Sequence, residues 1–321
     1  MPLPSFFKGT MRWTGALWMG ILFYLFILFV MADIVLLFVK FVKIISIEKI
    51  QYYRFITGII VLILSISTVC FGLFNANKIK YVSYNVKSNK NLSQEIKISF
   101  IADLHLGDTG SENRLKHIVQ GINSQNPDLV CITGDIFNDN YYNIQKPDIA
   151  AELLKNIKTK YGVYACFGNH DGGKTINEMI DFLEQSNIKL LNEDHVIIDG
   201  RLILIGRLDS FPIRGFGSLK RGNLSDIISK VDINLPIVVM DHNPANIKQY
   251  NNDVDLILCG HTHRGQMFPG SLFTRLMFTV DYGHYQKDSD SPHVIVTQGI
   301  STWMMPLRIG TNNEIVAVTL R

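Results

Sequence analysis

Histidine, aspartate and asparagine recur in short motifs over the last two thirds of this 321-residue chain. Five of the nine histidines stand in these motifs. Carboxylate and amide oxygens together with neutral imidazoles suit Mn²⁺, Fe²⁺ or Zn²⁺ better than an all-oxygen calcium site. The residue types therefore predict a metal centre. In chain order, the motifs are Asp103-Leu104-His105, Gly134-Asp135, Gly168-Asn169-His170-Asp171, Asp241-His242 and Gly260-His261-Thr262-His263.

The motifs hold more candidate ligands than one ion needs, so a carboxylate shared between two ions is expected. Two ions roughly 3.5 to 4 Å apart activate a water and hold the oxygens of an in-line displacement. Two divalent cations less two carboxylates also leave a positive pocket, which attracts phosphate. A phosphorus ester is the substrate that this chemistry favours.

Each motif directly follows a short apolar run of the kind that forms a buried strand. Asp135 follows Asp103 by 32 positions, and Asn169 follows Asp135 by 34, close to the ~30 residues of a βαβ unit. Right-handed crossovers return such strands to one edge of a parallel sheet, where the motifs would meet. The predicted elements are strands at 96–101, 129–132 and 163–167, with helices around 113–124 and 149–157.

Two more strands, at 237–240 and 256–259, are expected to bring His242, His261 and His263 to that edge. The last third of the chain has fewer helices between its strands, which predicts a second, mixed sheet. Its candidate strands are 202–205, 293–297 and 315–319. Glycines 134, 168 and 260 directly precede candidate ligands, where the backbone must turn sharply and let other groups come close.

Two apolar stretches precede this region, at about 14–39 and 55–74. Each is long enough to cross a bilayer, which takes about 20 residues at ~1.5 Å each. A secretory signal peptide is the competing explanation for the first stretch, but its apolar core is long and no small-x-small cleavage site follows. We therefore expect a membrane region with two transmembrane helices over residues 1–77 and a catalytic domain over 78–321.

Composition excludes other classes. The net charge of +3 is too small to indicate a specific nucleic-acid partner. The four cysteines lie in apolar runs, so neither a disulfide framework nor a cysteine zinc site is expected. Lysine and arginine stand both in the connector between the two apolar stretches and on their outer flanks, so the positive-inside rule alone does not decide the orientation.

The order of the motifs over residues 96–265 resembles that of the calcineurin-like metallophosphoesterases. The segment from Gly260 to Gln266 is especially similar to a membrane-associated bacterial branch of that family. The resemblance implies a four-layer α/β/β/α sandwich, here preceded by two transmembrane helices. It also implies two divalent ions that share Asp135. One ion would be held by Asp103, His105, Asp135 and His263, and the other by Asp135, Asn169, His242 and His261.

The resemblance further implies that a metal-bridging hydroxide attacks the phosphorus of a phosphomonoester or phosphodiester. His170 would protonate the leaving group or stabilise phosphoryl charge, with Asp171 as the partner of its ring. Asn138 stands where many relatives have an aspartate. Arg264 stands where this branch often has glycine, and either a phosphate contact or a structural ion pair would explain it. By the same resemblance the enzyme lies in the cell membrane as a multi-pass protein with an extracytoplasmic catalytic domain.

Alternatives stay open at this point. A lipid-linked or pyrophosphate substrate and a soluble phosphate ester are both compatible with anchoring at a membrane. A catalytically silent scaffold that binds protein partners at the membrane is the competing function. The presence of His170 and of every expected ligand favours the enzyme. A transporter is disfavoured because two spans make a poor pathway.

Overall fold

The computed structural model describes residues 5–44, 49–107 and 111–321. The helices are α1 (Ser5–Phe41), α2 (Ile50–Asn75), α3 (Leu115–Ser124), α4 (Pro147–Lys155), α5 (Ile176–Gln185), α6 (Leu224–Ile228) and α7 (Gly270–Met277). The strands are β1 (Ile79–Val86), β2 (Ile96–Ile101), β3 (Leu129–Thr133), β4 (Val163–Cys166), β5 (Ile188–Leu190), β6 (Asp194–Ile198), β7 (Leu202–Gly206), β8 (Ile237–Met240), β9 (Leu256–Cys259), β10 (Gly283–Tyr285), β11 (His293–Val296) and β12 (Asn313–Leu320).

The strands form two mixed sheets. The first has the order β1-β12-β2-β3-β4-β5 and the second the order β10-β11-β9-β8-β7-β6. In the first sheet β2, β3, β4 and β5 run parallel, and in the second β7, β8, β9 and β11 do. Parallel strands end at a common edge, so each sheet collects its strand ends on one side.

Alternation of apolar side chains along the strands separates three cores. In β3, Val130 and Ile132 pack with helices α3 to α5, whereas Leu129 and Cys131 face the second sheet. The outer face of the second sheet, including Ile203 of β7, packs against α6 and neighbouring turns. Successive strand residues point to opposite faces, so fully apolar strands can fill two cores at once. The result is the four-layer α/β/β/α sandwich that the resemblance implied.

The strands predicted before the five motifs are all present, and the second, mixed sheet is present too. One prediction was wrong: residues 315–319 do not belong to that second sheet. They lie in β12, which pairs antiparallel with β2 and parallel with β1 in the first sheet. Apolar side chains are buried on both faces of β12, as at Ile315 and Val316, so its pattern fits either sheet and carries no information on its partner.

Helices α1 and α2 are long and apolar enough to cross a membrane. They form a hairpin that also packs against the α/β sandwich. Tyr24 of α1 and Val69 of α2 share a buried cluster with Met267 and Leu307 of the sandwich, and the Tyr24 hydroxyl donates to the carbonyl of Phe268 at 2.8 Å. Beyond these contacts, α1 continues for 17 residues to Phe41, about 26 Å at 1.5 Å per residue.

The hairpin contacts the same edge of the sandwich that carries the motifs. The Arg12 guanidinium donates to the carbonyl of Gly107 at 2.9 Å, two residues after His105. The Asn75 amide of α2 donates to the carbonyls of Arg308 and Thr311. The segment that connects β11 to β12 is therefore held between the apolar hairpin and the motif edge.

Replacement of Gly20 by valine should loosen this attachment. A Cβ at Gly20 would lie 2.4 Å from Cδ1 of Leu307, whereas a Cβ at Gly15 of the same helix would meet nothing within 4 Å. Forcing a side chain into a packed contact costs about 1–3 kcal/mol. We expect Gly20→Val to lower the unfolding temperature of the full chain in detergent and Gly15→Val to leave it nearly unchanged. Equal shifts for the two variants would contradict the packing described.

Candidate metal centre

Five strand ends supply the polar side chains of the candidate site. Asp103 and His105 follow β2, Asp135 follows β3, and Asn169 with His170 follows β4 of the first sheet. The second sheet contributes the rest. His242 follows β8, and His261 and His263 follow β9. The site therefore lies where the carboxyl ends of two sheets meet, not at the edge of one sheet.

The first group of candidate ligands comprises Asp103, His105 and His263, whose donor atoms lie within 4.8 Å of one another. The Nε2 atoms of His105 and His263 are 3.1 Å apart. Nε2 of His263 is 3.4 Å from Oδ1 of Asp103. All three side chains are buried. Two imidazole nitrogens and a carboxylate oxygen therefore converge on one small space.

The second group comprises Asp135, His242 and His261, again within 4.8 Å. Nε2 of His242 lies 3.1 Å from Oδ2 of Asp135, and the amide oxygen of Asn169 lies 2.7 Å from Nδ1 of His261. The same Oδ2 of Asp135 is 3.9 Å from Nε2 of His105 in the first group. The carboxylate of Asp135 thus lies between the two groups, where a shared ligand is required.

The protonation states of three of the four imidazoles suit a metal. Burial lowers the pKa of His105 to about 3 and that of His261 to about 4, and it lowers the pKa of His263 well below its usual range. These rings are therefore neutral near pH 7, the form in which imidazole binds metal. For His242, burial lowers the pKa, but the hydrogen bond and charge of Asp135 together with the charges of Asp103 and Asp209 outweigh it and hold the pKa well above its usual range.

The carboxylates also fit a divalent ion. Oδ2 of Asp103 is buried and has no hydrogen-bond partner among the described residues. A buried carboxylate oxygen without a partner is unfavourable, and burial raises the pKa of Asp103 to about 7. Nδ1 of His242 lies 2.9 Å from the carbonyl of Thr133, which keeps a proton on Nδ1 and turns Nε2 toward Asp135.

The backbone at these strand ends is strained. Five of the candidate ligands have positive φ angles between 46° and 72°: Asp103, His105, Asp135, His261 and His263. Residues with a Cβ pay roughly 1–2 kcal/mol in this region, and such outliers cluster at functional sites. The close approaches predicted at glycines are also present. A Cβ at Gly168 would lie 2.3 Å from Oδ1 of Asp135, and one at Gly260 would lie 2.7 Å from Oδ2 of Asp103.

His170 lies over the two groups, but its partner is not the predicted one. Its ring centroid is 5.2 Å from that of His105, and its Nδ1 contacts Oδ1 of Asp139 at 2.9 Å. The carboxylate of Asp171 instead accepts backbone N–H groups of Ile136, Phe137 and Gly168. The pairing of Asp171 with the His170 ring is therefore a wrong prediction. These three hydrogen bonds direct the side chain of Asp171 toward the ends of β3 and β4 and away from the His170 ring.

Asp139 is a residue that the sequence reasoning missed, although a signal was present. It lies four residues after Asp135, next to Asn138, the position at which a missing carboxylate was noticed. Asp139 has φ of 62°, a conformation that brings its side chain back toward His170. Its second oxygen lies 3.4 Å from the guanidinium of Arg214. The carboxylate expected near Asn138 is thus supplied by the next residue.

Arg308 and Trp303, in the segment between β11 and β12, were given no roles from sequence. Arg308 is fully buried and donates to the carbonyls of His263, Gln298 and Ser301. Burial lowers its pKa to about 9. The Trp303 ring lies 5.4 Å from that of His170, centroid to centroid. The segment therefore supports one candidate ligand and covers one side of the site.

The remaining expected residues have structural contacts. Asp241 is buried and accepts from the guanidinium of Arg221 at 2.6 Å and from the hydroxyl of Tyr250 at 2.6 Å. Arg264 lies over the ring of Tyr282, 4.5 Å from its centroid. In these contacts Asp241 fixes the turn after β8, and Arg264 stacks on an aromatic ring.

Comparison with known proteins agrees with this geometry. The family model described as calcineurin-like phosphoesterase matches residues 96–265, more than half of the chain. An uncharacterized metallophosphoesterase of Helicobacter pylori is 31% identical over 71% of this chain and 60% of its own length. The uncharacterized metallophosphoesterase YkuE of Bacillus subtilis is 30% identical over 70% of this chain and 79% of its own.

A transmembrane protein with metallophosphoesterase domain from Danio rerio is 28% identical over 82% of this chain and 62% of its own length. The chain thus spans less than two thirds of the Helicobacter pylori and Danio rerio proteins. The match over more than half of the chain shows the class of protein. The chain belongs to the calcineurin-like phosphoesterase family.

Substitution of Asp139 and of Asp171 should have different effects. Asp139→Asn removes the charge beside Nδ1 of His170 and should lower turnover about 10- to 100-fold while metal binding is retained. Asp171→Asn replaces one of the two carboxylate oxygens that accept three backbone N–H groups with an NH2 donor, and should lower the unfolding temperature. Steady-state kinetics and thermal unfolding of both variants distinguish these roles. A purely thermal effect of Asp139→Asn would contradict its assignment to His170.

Proposed function

We propose that this protein is a membrane-anchored phosphoesterase that uses two divalent ions to hydrolyse phosphate monoesters or diesters. The observation that carries the proposal is the pair of buried ligand groups, each with donor atoms within 4.8 Å, with the carboxylate of Asp135 between them. When bound, two such ions would activate water as a nucleophile and neutralise phosphoryl oxygens. Mn²⁺, Fe²⁺ and Zn²⁺ all suit the mixed oxygen and nitrogen donors.

In this proposal each group of side chains holds one ion. Asp103, His105 and His263 hold the first, and Asn169, His242 and His261 hold the second, with Asp135 shared. The close contacts of Asp135 with His105 and His242 support the sharing. The 2.7 Å contact between Asn169 and His261 supports the inclusion of the amide oxygen.

His170 is proposed as the residue that protonates the leaving group. Its backbone N–H donates to Oδ1 of Asp135 at 2.8 Å, which ties it to the shared carboxylate. Nδ1 is engaged by Asp139, so Nε2 is the nitrogen that faces a substrate. An imidazole held by a carboxylate keeps its orientation and its tautomer during proton transfer.

Metal addition to stripped full-length protein tests the proposal directly. Hydrolysis of p-nitrophenyl phosphate and bis-p-nitrophenyl phosphate should return with at least one of Mn²⁺, Fe²⁺ and Zn²⁺. Asp135→Asn should abolish measurable return because it removes the shared ligand. His170→Ala should lower turnover about 10²- to 10⁴-fold with metal content unchanged, because only proton transfer is lost.

His117→Ala is the matched control for His170→Ala, since His117 is an exposed histidine of α3 outside the motifs. It should leave turnover unchanged. Binding of two ions with no turnover of either ester would favour the silent scaffold. Failure to bind any of the three ions would contradict both the proposed phosphoesterase activity and the proposed metal centre.

The proposed topology has both apolar helices in the membrane and the α/β sandwich on the extracytoplasmic side. Its support is the resemblance of the segment from Gly260 to Gln266 to the membrane-associated bacterial branch of the family. The positive-inside rule gives no preference, because the basic residues at the connector (Lys40, Lys43, Lys49 and Arg54) are matched by basic residues on the outer flanks.

Labelling with a membrane-impermeant maleimide in intact cells tests this orientation. Cys70 is exposed and is first replaced by alanine, while Cys131, Cys166 and Cys259 are buried. Ile233→Cys, at an exposed position of the sandwich, should react before lysis. Lys43→Cys, in the connector, should react only after lysis. The reverse pattern would put the sandwich in the cytoplasm.

A further inference from the structure

An apolar surface surrounds α7 beside the candidate metal centre. No residue of α7 is buried, and Leu276 and Met277 are 86% and 75% exposed. We call this the α7 surface. Soluble proteins seldom expose so many large apolar side chains together, and such patches mark contact sites. The α7 surface comprises Phe268, Leu272, Phe273, Leu276, Met277, Trp303 and Met304.

The α7 surface lies where the apolar hairpin leaves the sandwich. The carbonyl of Phe268, just before α7, accepts the hydroxyl of Tyr24, and Tyr24 is the last residue of α1 in the cluster shared with the sandwich. From this level α1 runs on for 17 residues to Phe41, about 26 Å, close to the ~30 Å hydrocarbon core of a bilayer. The α7 surface therefore lies at the height of a membrane boundary.

The same surface borders the metal-binding groups. At the start of α7, Gly270 packs so closely on Gly265 that a Cβ at Gly265 would lie 2.1 Å from the Gly270 carbonyl carbon. After α7, the Phe278 ring lies 5.9 Å from that of His261, centroid to centroid. Trp303 connects the surface to His170 on the other side. A bilayer in contact with α7 would therefore adjoin the mouth of the site.

We propose that the α7 surface inserts into the bilayer interface and that the enzyme acts on phosphate esters of membrane lipids, whose acyl chains stay in the bilayer. The inference rests on the proposed phosphoesterase function. Insertion into the bilayer explains why α7, an eight-residue helix whose one charged residue is Arg275, has no buried residue although it lies beside a polar site. Apolar side chains with a nearby cation fit the boundary between headgroups and acyl chains.

The arrangement of the hairpin favours a bilayer over a protein as the occupant. Tyr24 of α1 contacts Phe268 of the α7 surface, and the residues of α1 just beyond Tyr24 include the exposed apolar side chains Phe26 and Phe29. A surface that is continuous with two helices apolar enough to span a membrane meets the same solvent as those helices. In this proposal that solvent is lipid, whose phosphate esters would lie beside the candidate metal centre that α7 borders.

A spin label on Leu276→Cys in the Cys70→Ala background measures the depth of α7. The full chain is reconstituted into vesicles of phosphatidylcholine and phosphatidylglycerol, and relaxation by oxygen is compared with relaxation by a water-soluble nickel chelate. The label at 276 should respond mainly to oxygen, which concentrates in lipid, and a control label on Ile233→Cys mainly to nickel. A dominant nickel response at 276 would overturn the insertion.

Chain length in a matched pair of substrates tests the substrate class. Hexadecyl p-nitrophenyl phosphate resides in the vesicle and ethyl p-nitrophenyl phosphate in water, and both release the same product. Phe273→Ser with Leu276→Ser should reduce hexadecyl turnover at least about tenfold, because insertion is lost. Ethyl turnover should stay within about twofold, because both side chains are exposed on the surface of α7. The control pair Ile197→Ser and Ile233→Ser, exposed elsewhere, should change neither rate.

Outcomes separate this inference from the phosphoesterase proposal. Equal loss of both esters in the α7 variant, or a wild-type preference for the ethyl ester, would overturn the lipid substrate while leaving a phosphoesterase. Turnover of neither of these diesters, nor of the monoester p-nitrophenyl phosphate, with any ion would count against the phosphoesterase itself. The label depth at 276 would still decide whether the α7 surface lies in the bilayer.

Discussion

Everything in this structure depends on the burial of carboxylates and imidazoles where two sheets meet. Two buried aspartates and four imidazoles share a space in which hydration is lost, and a desolvated cluster of this kind is unfavourable unless its charges are compensated. Asp135 compensates His242 directly at 3.1 Å, while burial keeps His105 and His261 neutral. The buried carboxylates are stabilised by bound cations. Cations held there would in turn attract a phosphate group.

The rigidity of the sandwich makes that cluster possible. Its ligands come from five strand ends, and five of them occupy left-handed backbone conformations, so local preferences oppose the site. The parallel strands on either side are fully buried and fix the ends in register. The packing of three apolar cores therefore offsets strain that is confined to the turns. Glycines take the positions at which a Cβ would collide with a ligand, as at Gly168 and Gly260.

Sequence predicted the strand ends well because a buried strand followed by glycine and a polar residue is a local pattern. Asp103, Asp135 and Asn169 could be assigned to one edge from their spacing alone. The sheet of β12 could not be predicted, because a strand that is apolar on both faces fits either partner. The pairing of Asp139 with His170 depends on a positive φ at Asp139, and Arg308 lies 45 residues from His263. No repeating pattern in the amino-acid sequence indicates either contact.

The segment between β11 and β12 connects the apolar hairpin of α1 and α2 to the candidate metal centre. Leu307 packs against Tyr24 of the hairpin, and the next residue, Arg308, donates to the carbonyl of His263 and lies 3.2 Å from Nδ1 of its ring. Trp303 of the same segment lies over His170. A shift of the hairpin relative to the sandwich would therefore move a candidate ligand and the residue above it together. If the apolar helices span a bilayer as proposed, anchoring there would be part of how the site is built, since the contacts that hold His263 in place continue into these helices.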